Sequence, residues 1–162
     1  MIIRNLNELF VHELTDLYDA EHQLLKALPK MVTASTFADL KTALAEHFTQ
    51  TKEQVKRLEQ VFHLIDKKPS RHACAAMRGI LDEADGALDE TSGGAIRDAA
   101  IIGASQRIEH YEMAGYGTVR TYAYMLGYTQ AAQLLQETLD EEEQADKRLT
   151  QVANSINALA ME

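Results

Sequence analysis

The stretch Leu135-Gln136-Glu137-Thr138-Leu139-Asp140-Glu141-Glu142-Glu143-Gln144-Ala145-Asp146-Lys147-Arg148-Leu149 decides the fold. Stepped at alternating spacings of four and three, it puts Leu135, Leu139, Glu142, Asp146 and Leu149 on one stripe, continued by Ala153 and Ile156. That is the spacing at which helical residues line a packed seam. Of the acidic run Asp140 to Glu143 only Glu142 turns inward, and the rest form a solvated face. Two acids between leucines therefore stand where a core calls for apolar side chains.

The same stepping upstream gives Phe10, Leu14, Leu17, Glu21, Leu24, Leu28 and Met31, with one carboxylate. A second stripe runs Leu44, Phe48, Thr51, Val55, Leu58, Phe62 and Ile65. It has no acid, but Thr51 is flanked by His47, Gln50 and Gln54. A third runs Ala99, Ile102, Gln106, Glu109, Met113 and Tyr116, with Glu112 close to the side of Glu109. These periodic segments predict long helices over about Leu6 to Val32, Phe37 to Asp66, Ala95 to Leu126 and Thr129 to Ala160, with a shorter helix over about Ala73 to Glu90. Pro29 predicts a kink near the end of the first helix, and Gly127 suits the C-terminal cap of the third long one. Gly115 and Gly117, in mid-helix, predict a close helix contact.

The first and second long helices, and the third and fourth, are joined by short breaks and form antiparallel hairpins. Between the hairpins lie about 25 to 30 residues carrying the short helix, enough to cross the length of the bundle. The expected fold is all-α, a ferritin-like four-helix bundle with one long crossover, occupying residues 1–162 as a single domain.

The polar interruptions fall near the midpoints of their helices, so antiparallel packing brings them to one level. Glu21, Glu109, Glu112, Glu142 and Asp146 at one depth of a dry core would repel one another and take up protons unless positive charge sat among them. Carboxylates with an imidazole, His47 by position, suit a cluster of iron or manganese. The bland alternative pairs these acids with Lys or Arg at the seam edge, or has them protonated and bonded to one another.

Composition narrows the function. With 46% hydrophobic and 25% charged residues the chain can fill a core, and a net charge of −9 with scattered bases excludes a nucleic-acid footprint. The start of the sequence carries no secretory pattern and no segment is apolar for long enough to span a bilayer, so a cytoplasmic location away from membranes is expected. The single cysteine, Cys74, reads as a small core residue. Phosphate loops, nucleophile elbows and paired-cysteine zinc motifs do not occur. The tyrosines, Tyr116 among them, read as packing or interface residues, while Tyr18, one turn from Glu21, is placed to bond a ligand.

At Asp16-Leu17-Tyr18-Asp19-Ala20-Glu21, at His47 with Thr51 and Gln54, at Glu109-His110-Tyr111-Glu112 with Tyr116-Gly117-Thr118, and at Glu137-Thr138-Leu139-Asp140-Glu141-Glu142 with Asp146, the chain resembles the YciE/YciF-type ferritin-like bacterial stress proteins, on the YciF side. The resemblance covers essentially the whole chain. It implies a rubrerythrin-like bundle, homodimers, a dinuclear metal site with two irons per chain (manganese being the other metal considered), and a link to stress. The implied ligand set is Glu21, Glu109 and Glu142, with Glu109 and Glu142 bridging, Glu112 and Asp146 terminal, and His47 and Gln50 completing one side. Ferritin-like di-iron proteins place a Glu-x-x-His pair on each of two helices. Here Glu142 is followed by Asp146, and Gln50 stands where glutamate is expected in relatives.

Two functions compete on this reading. One is a peroxide-reducing, peroxide-disproportionating or ferrous-oxidising protein, whose reductase form would need an external electron donor. The other is a dimeric structural or interaction bundle whose metal site is vestigial or purely structural. A hollow iron-storage shell is the least favoured.

Overall fold

The computed structural model describes residues 2–161. Helix α1 spans Leu6–Ala34, α2 Ala38–Leu64, α3 Ala75–Glu90, α4 Ala95–Met125 and α5 Thr129–Leu159. Each predicted helix is present, with no end shifted by more than two residues. The Asn5 side chain caps α1 by accepting from the Glu8 amide at 2.9 Å, and the Glu8 carboxylate accepts from the Arg4 amide in return. Helix α1 continues through Pro29, which removes only one backbone bond, and runs past Val32 to Ala34.

Helices α2 and α4 both end in a left-handed residue. At α4 it is Gly127, φ 82°, where Tyr128 N–H donates to Ala123 O at 2.9 Å and Gly127 N–H to Tyr124 O at 3.1 Å. At α2 it is Asp66, φ 54°, where Lys67 N–H reaches Phe62 O at 2.9 Å. This stops α2 at Leu64 rather than Asp66. An L side chain bears a steric cost in that conformation that glycine escapes, so Asp66→Gly is expected to stabilise the protein by about 0.5–1 kcal/mol in urea unfolding. A loss of stability would show that Asp66 makes a compensating contact.

In the bundle α1 packs with α2 and α4 with α5, while α2 lies against α5 and α1 against α4. The chain from 65 to 94 returns along the bundle, and α3 rests on α1 and α4. Two hairpins joined by one long crossover is the ferritin-like connectivity. Buried carboxylates pin the crossover at both ends. Asp19 accepts from Arg71 Nε and Nη2, from Gln23 and from the Cys74 amide, at 2.6–2.9 Å. Burial alone would raise its pKa, but those donors from Cys74, Gln23 and Arg71 hold it below the usual value. Binding of the Cys74 amide sets the start of α3, and Cys74 Sγ caps it by accepting from Met77 N–H. At the other end Asp98, fully buried, accepts from the amides of Thr36 and Phe37 at the start of α2.

A Cβ on Gly115 would stand 2.7 Å from Leu17 Cδ2, so this glycine lets α4 approach α1. Gly117 meets nothing closer than Leu139 at 4.0 Å and carries no such demand. The buried arc of α4 is wider than the spacing predicts. Its deepest line runs Ile101, Ser105, Ile108, Glu112, Tyr116, Val119 and Ala123, whereas Gln106 and Met113 are only partly buried, because α4 packs on α1, α3 and α5 at once.

The apolar core falls into two halves. One holds Phe10, Leu14, Leu17, Leu58, Phe62 and Leu135, the other Leu24, Leu28, Leu40, Leu44, Ile108 and Leu149. Among the described residues no helix is long and apolar enough to cross a membrane.

Candidate metal centre

Between the two halves of the core lies a polar layer. Helix α1 contributes Glu21, α2 His47, α4 Glu109 and Glu112, and α5 Glu142, and none is more than 4% exposed. One ligand atom from each of His47, Glu109, Glu112 and Glu142 lies within 4.8 Å of the others. His47 Nδ1 stands 2.8 Å from Glu109 Oε1, and Nε2 lies 3.8 Å from Glu112 and 3.7 Å from Glu142. The 2.8 Å contact is out of line for a hydrogen bond, and Glu109 Oε1 is without a donor despite it. Glu21 lies beside the group, with its Oε1 accepting from the Tyr116 hydroxyl.

The layer is electrostatically unsatisfied. Both oxygens of Glu109, Glu112 and Glu142, Oε2 of Glu21 and Nε2 of His47 are buried with no hydrogen-bond partner among the described residues. Burial pushes the carboxyls of Glu21 and Glu109 up to about 8. Glu142 adds to the rise at Glu21, and Glu21 and Asp146 add to it at Glu109. Glu112 and Glu142 are raised well above the ordinary carboxyl range, first by desolvation and then by the neighbouring carboxylates. The Tyr116 phenol is raised for the same reasons.

These donors fit a metal ion. Two donors on opposite sides of one ion stand about 4.2 Å apart at bonds of about 2.1 Å, so a 4.8 Å group needs only small side-chain shifts to close on a cation.

The other sequence-derived candidates lie around this group. Gln50 is half-buried on the wall of a pocket that also touches His47 and Glu109. Asp146 lies outside the group, next to Gln106 Nε2 at 3.2 Å and His110 Nε2 at 3.3 Å. Thr51 spends its hydroxyl on His47 O. Tyr18 turns away to Glu59 at 2.7 Å, and the tyrosine at the site is Tyr116. Seam spacing from Glu109 to Tyr116 was the available signal for it. The fully buried Gln54 donates to Glu141, which also receives both Arg57 nitrogens, clasping α2 to α5 beside the layer. Helical spacing holds no sign of that clasp, because Glu141 reads as part of a solvated run.

Comparison with known proteins places this geometry in a family. YciF of Escherichia coli strain K12 is 41% identical over 162 residues, covering 99% of this chain and 98% of the relative. The crystal structure of the E. coli stress protein YciF superposes with a TM-score of 0.93 at 40% identity, covering 96% of this chain and 99% of that one. YcfI of Rhodopseudomonas palustris, described as a candidate structural protein, has a TM-score of 0.90 at 40% identity over 91% of this chain and 94% of its own. A Xanthomonas campestris protein shares the fold, with a TM-score of 0.78 at 20% identity over 96% of this chain and 95% of that one. The family described as a domain of unknown function, DUF892, matches residues 5–161. By that match and the YciF identity, the chain belongs to the DUF892 family of YciF-like proteins.

Proposed function

We propose that this chain is a ferritin-like stress-response protein whose buried layer holds two iron or manganese ions and which reduces or disproportionates peroxide or oxidises ferrous iron. The observation that carries the reading is the set of unpartnered buried carboxylate oxygens around His47 Nε2. Four glutamates in full ionisation carry four negative charges, which two divalent ions neutralise and one does not. When bound, such a pair supplies Lewis acidity and two redox-active centres.

The chain's own residues hold and shield that site. Glu109 and Glu142, both pushed up first by burial, would be the carboxylates shared by such ions, with Glu112 and Glu21 holding them from the sides. Tyr116 orients Glu21 by donating to Oε1 and leaves Oε2 free to ligate. The apolar halves above and below exclude water, so charge at the layer is weakly screened. With one cysteine the chain has no paired-cysteine iron site, so a reductase cycle draws on an external donor, whereas disproportionation needs none. A homodimer in the cytoplasm is the proposed assembly.

A structural role is the second reading. It is favoured by neutral Gln50 at the pocket wall, by the displacement of Asp146 from the group, and by the description of the Rhodopseudomonas relative.

Elemental analysis of untagged protein beside a Glu21→Ala/Glu142→Ala double variant separates the two. The metal reading expects about two iron or manganese ions per chain in wild type and loss of both in the variant. Wild type that takes up neither metal after reconstitution, while remaining folded, leaves the structural reading in its place.

A further inference from the structure

Five buried ligands account for holding an ion but not for how one arrives. A pocket of about 390 Å³ opens between α2 and α5, and its floor is His47 and Glu109. His47, only 4% exposed, lines this pocket while its unpartnered Nε2 lies toward Glu112 and Glu142, so its imidazole stands between the open space and the unsatisfied layer. The pockets beside Leu64, under α3, around His72 and near Pro29 touch none of the five residues. On the rim Arg148 Nη1 stands 2.5 Å from Glu46 Oε2, bridging α5 to α2 between two side chains that are about half exposed. Gln50, half-buried, and Gln144, exposed, also line the pocket.

We infer that this pocket is the route by which divalent cations reach and leave the polar layer, and that the Glu46–Arg148 pair is its gate. The inference rests on the metal reading above and adds to it a path and a control point. Glu46 is the carboxylate an entering cation meets first, and Arg148 already occupies it. Together with Lys147, also on the pocket lining, Arg148 makes the rim net positive, which slows a cation in either direction. An exposed pair of this kind is weak, so it opens at low cost. The amide oxygens of Gln50 and Gln144 on the lining offer neutral ligands to a partly dehydrated ion on its way to Glu109 and His47. The same arrangement gives Gln50 a use as a transfer point, where a carboxylate would trap the ion.

The test is the rate of cobalt(II) uptake by metal-free protein and of its release to an excess of a chromogenic chelator. Arg148→Ala removes the tethered competitor and is expected to speed both rates about tenfold. Gln144→Trp, at an exposed position on the wall, narrows the pocket and is expected to slow both by a similar factor, and Arg148→Lys returns the rates toward wild type. The cobalt content at equilibrium stays unchanged in all three. Opposite changes in rate at constant content distinguish a gate from a structural effect. Wild-type rates in both Arg148→Ala and Gln144→Trp overturn the inference while leaving the metal reading intact. A wild-type chain that takes up no cobalt, manganese or iron overturns both.

Discussion

Replacing Glu112 by glutamine is expected to stabilise the metal-free protein by about 3 kcal/mol near pH 8 and by almost nothing near pH 4. Glu112 is fully buried, and both of its oxygens lack a partner. Desolvation, then the charges of Glu21, Glu142 and Glu109, raise its pKa far above 4.5. In the unfolded chain it ionises near 4.5, so above that pH the folded state binds more protons than the unfolded state. Stability must then fall as pH rises. The stabilisation is fully present below pH 4.5 and is lost through the pKa of the folded state, which for Glu21 and Glu109 is about 8. Glutamine removes one of these linked protons at little change in shape. Metal reverses the slope, because ions replace the protons and bind more tightly as the carboxylates ionise. Urea unfolding of chelator-treated wild type and Glu112→Gln between about pH 4 and 9 reads the effect directly. A wild-type curve that is flat or rising between about pH 5 and 8, or equal stability of the two proteins near pH 8, would contradict the picture of an uncompensated acidic layer. The same substitution removes a ligand, so metal content should fall with it.

The second large effect is at the far end of the crossover. Asp98→Ala is expected to cost about 3 kcal/mol, lowering Tm by about 6–12 °C, since hydrogen bonds to a charged acceptor contribute about 1.5–3 kcal/mol each. The N-cap of α2 is Phe37, which supplies no side-chain cap. Asp98 serves in its place, taking the Thr36 amide at 2.8 and 3.1 Å and the Phe37 amide at 2.8 Å from across the bundle. One buried carboxylate thereby ties the α1–α2 turn to the first turn of α4. Asp98→Asn keeps an acceptor without the charge and should lose about half as much. Metal content is expected to be unchanged in both variants, because the polar layer lies half a helix away. A loss below about 1 kcal/mol for the alanine variant would mean that water replaces the cap, given that Thr36 is exposed.

Helical spacing alone determined that the chain is five helices in two hairpins with a crossover, and that acids interrupt the seams at one depth. Those features are legible because burial against a neighbour repeats every three or four residues, and a charged residue in such a series stands out. Glu21, Glu109 and Glu142 were visible on that basis, and the YciF-like family was visible in the stretches around them. What spacing cannot carry is direction within a wide buried arc or a partner on another helix. Asp146 has the right register but leans to His110 and Gln106, because α5 buries a narrower arc there than α4 does. Tyr18 and Tyr116 are both aromatic seam residues, and only the packing of α1 on α4 at Gly115 decides that Tyr116 is the one facing Glu21. Asp19 and Asp98, which hold the crossover, stand off the seam stripes, and Glu141, which clasps α2, sits in the solvated run, so their roles emerge only once the amides and guanidinium groups they bind are brought to them. The pattern of one chain records which side chains leave water, and the tertiary structure alone decides which of them then meet.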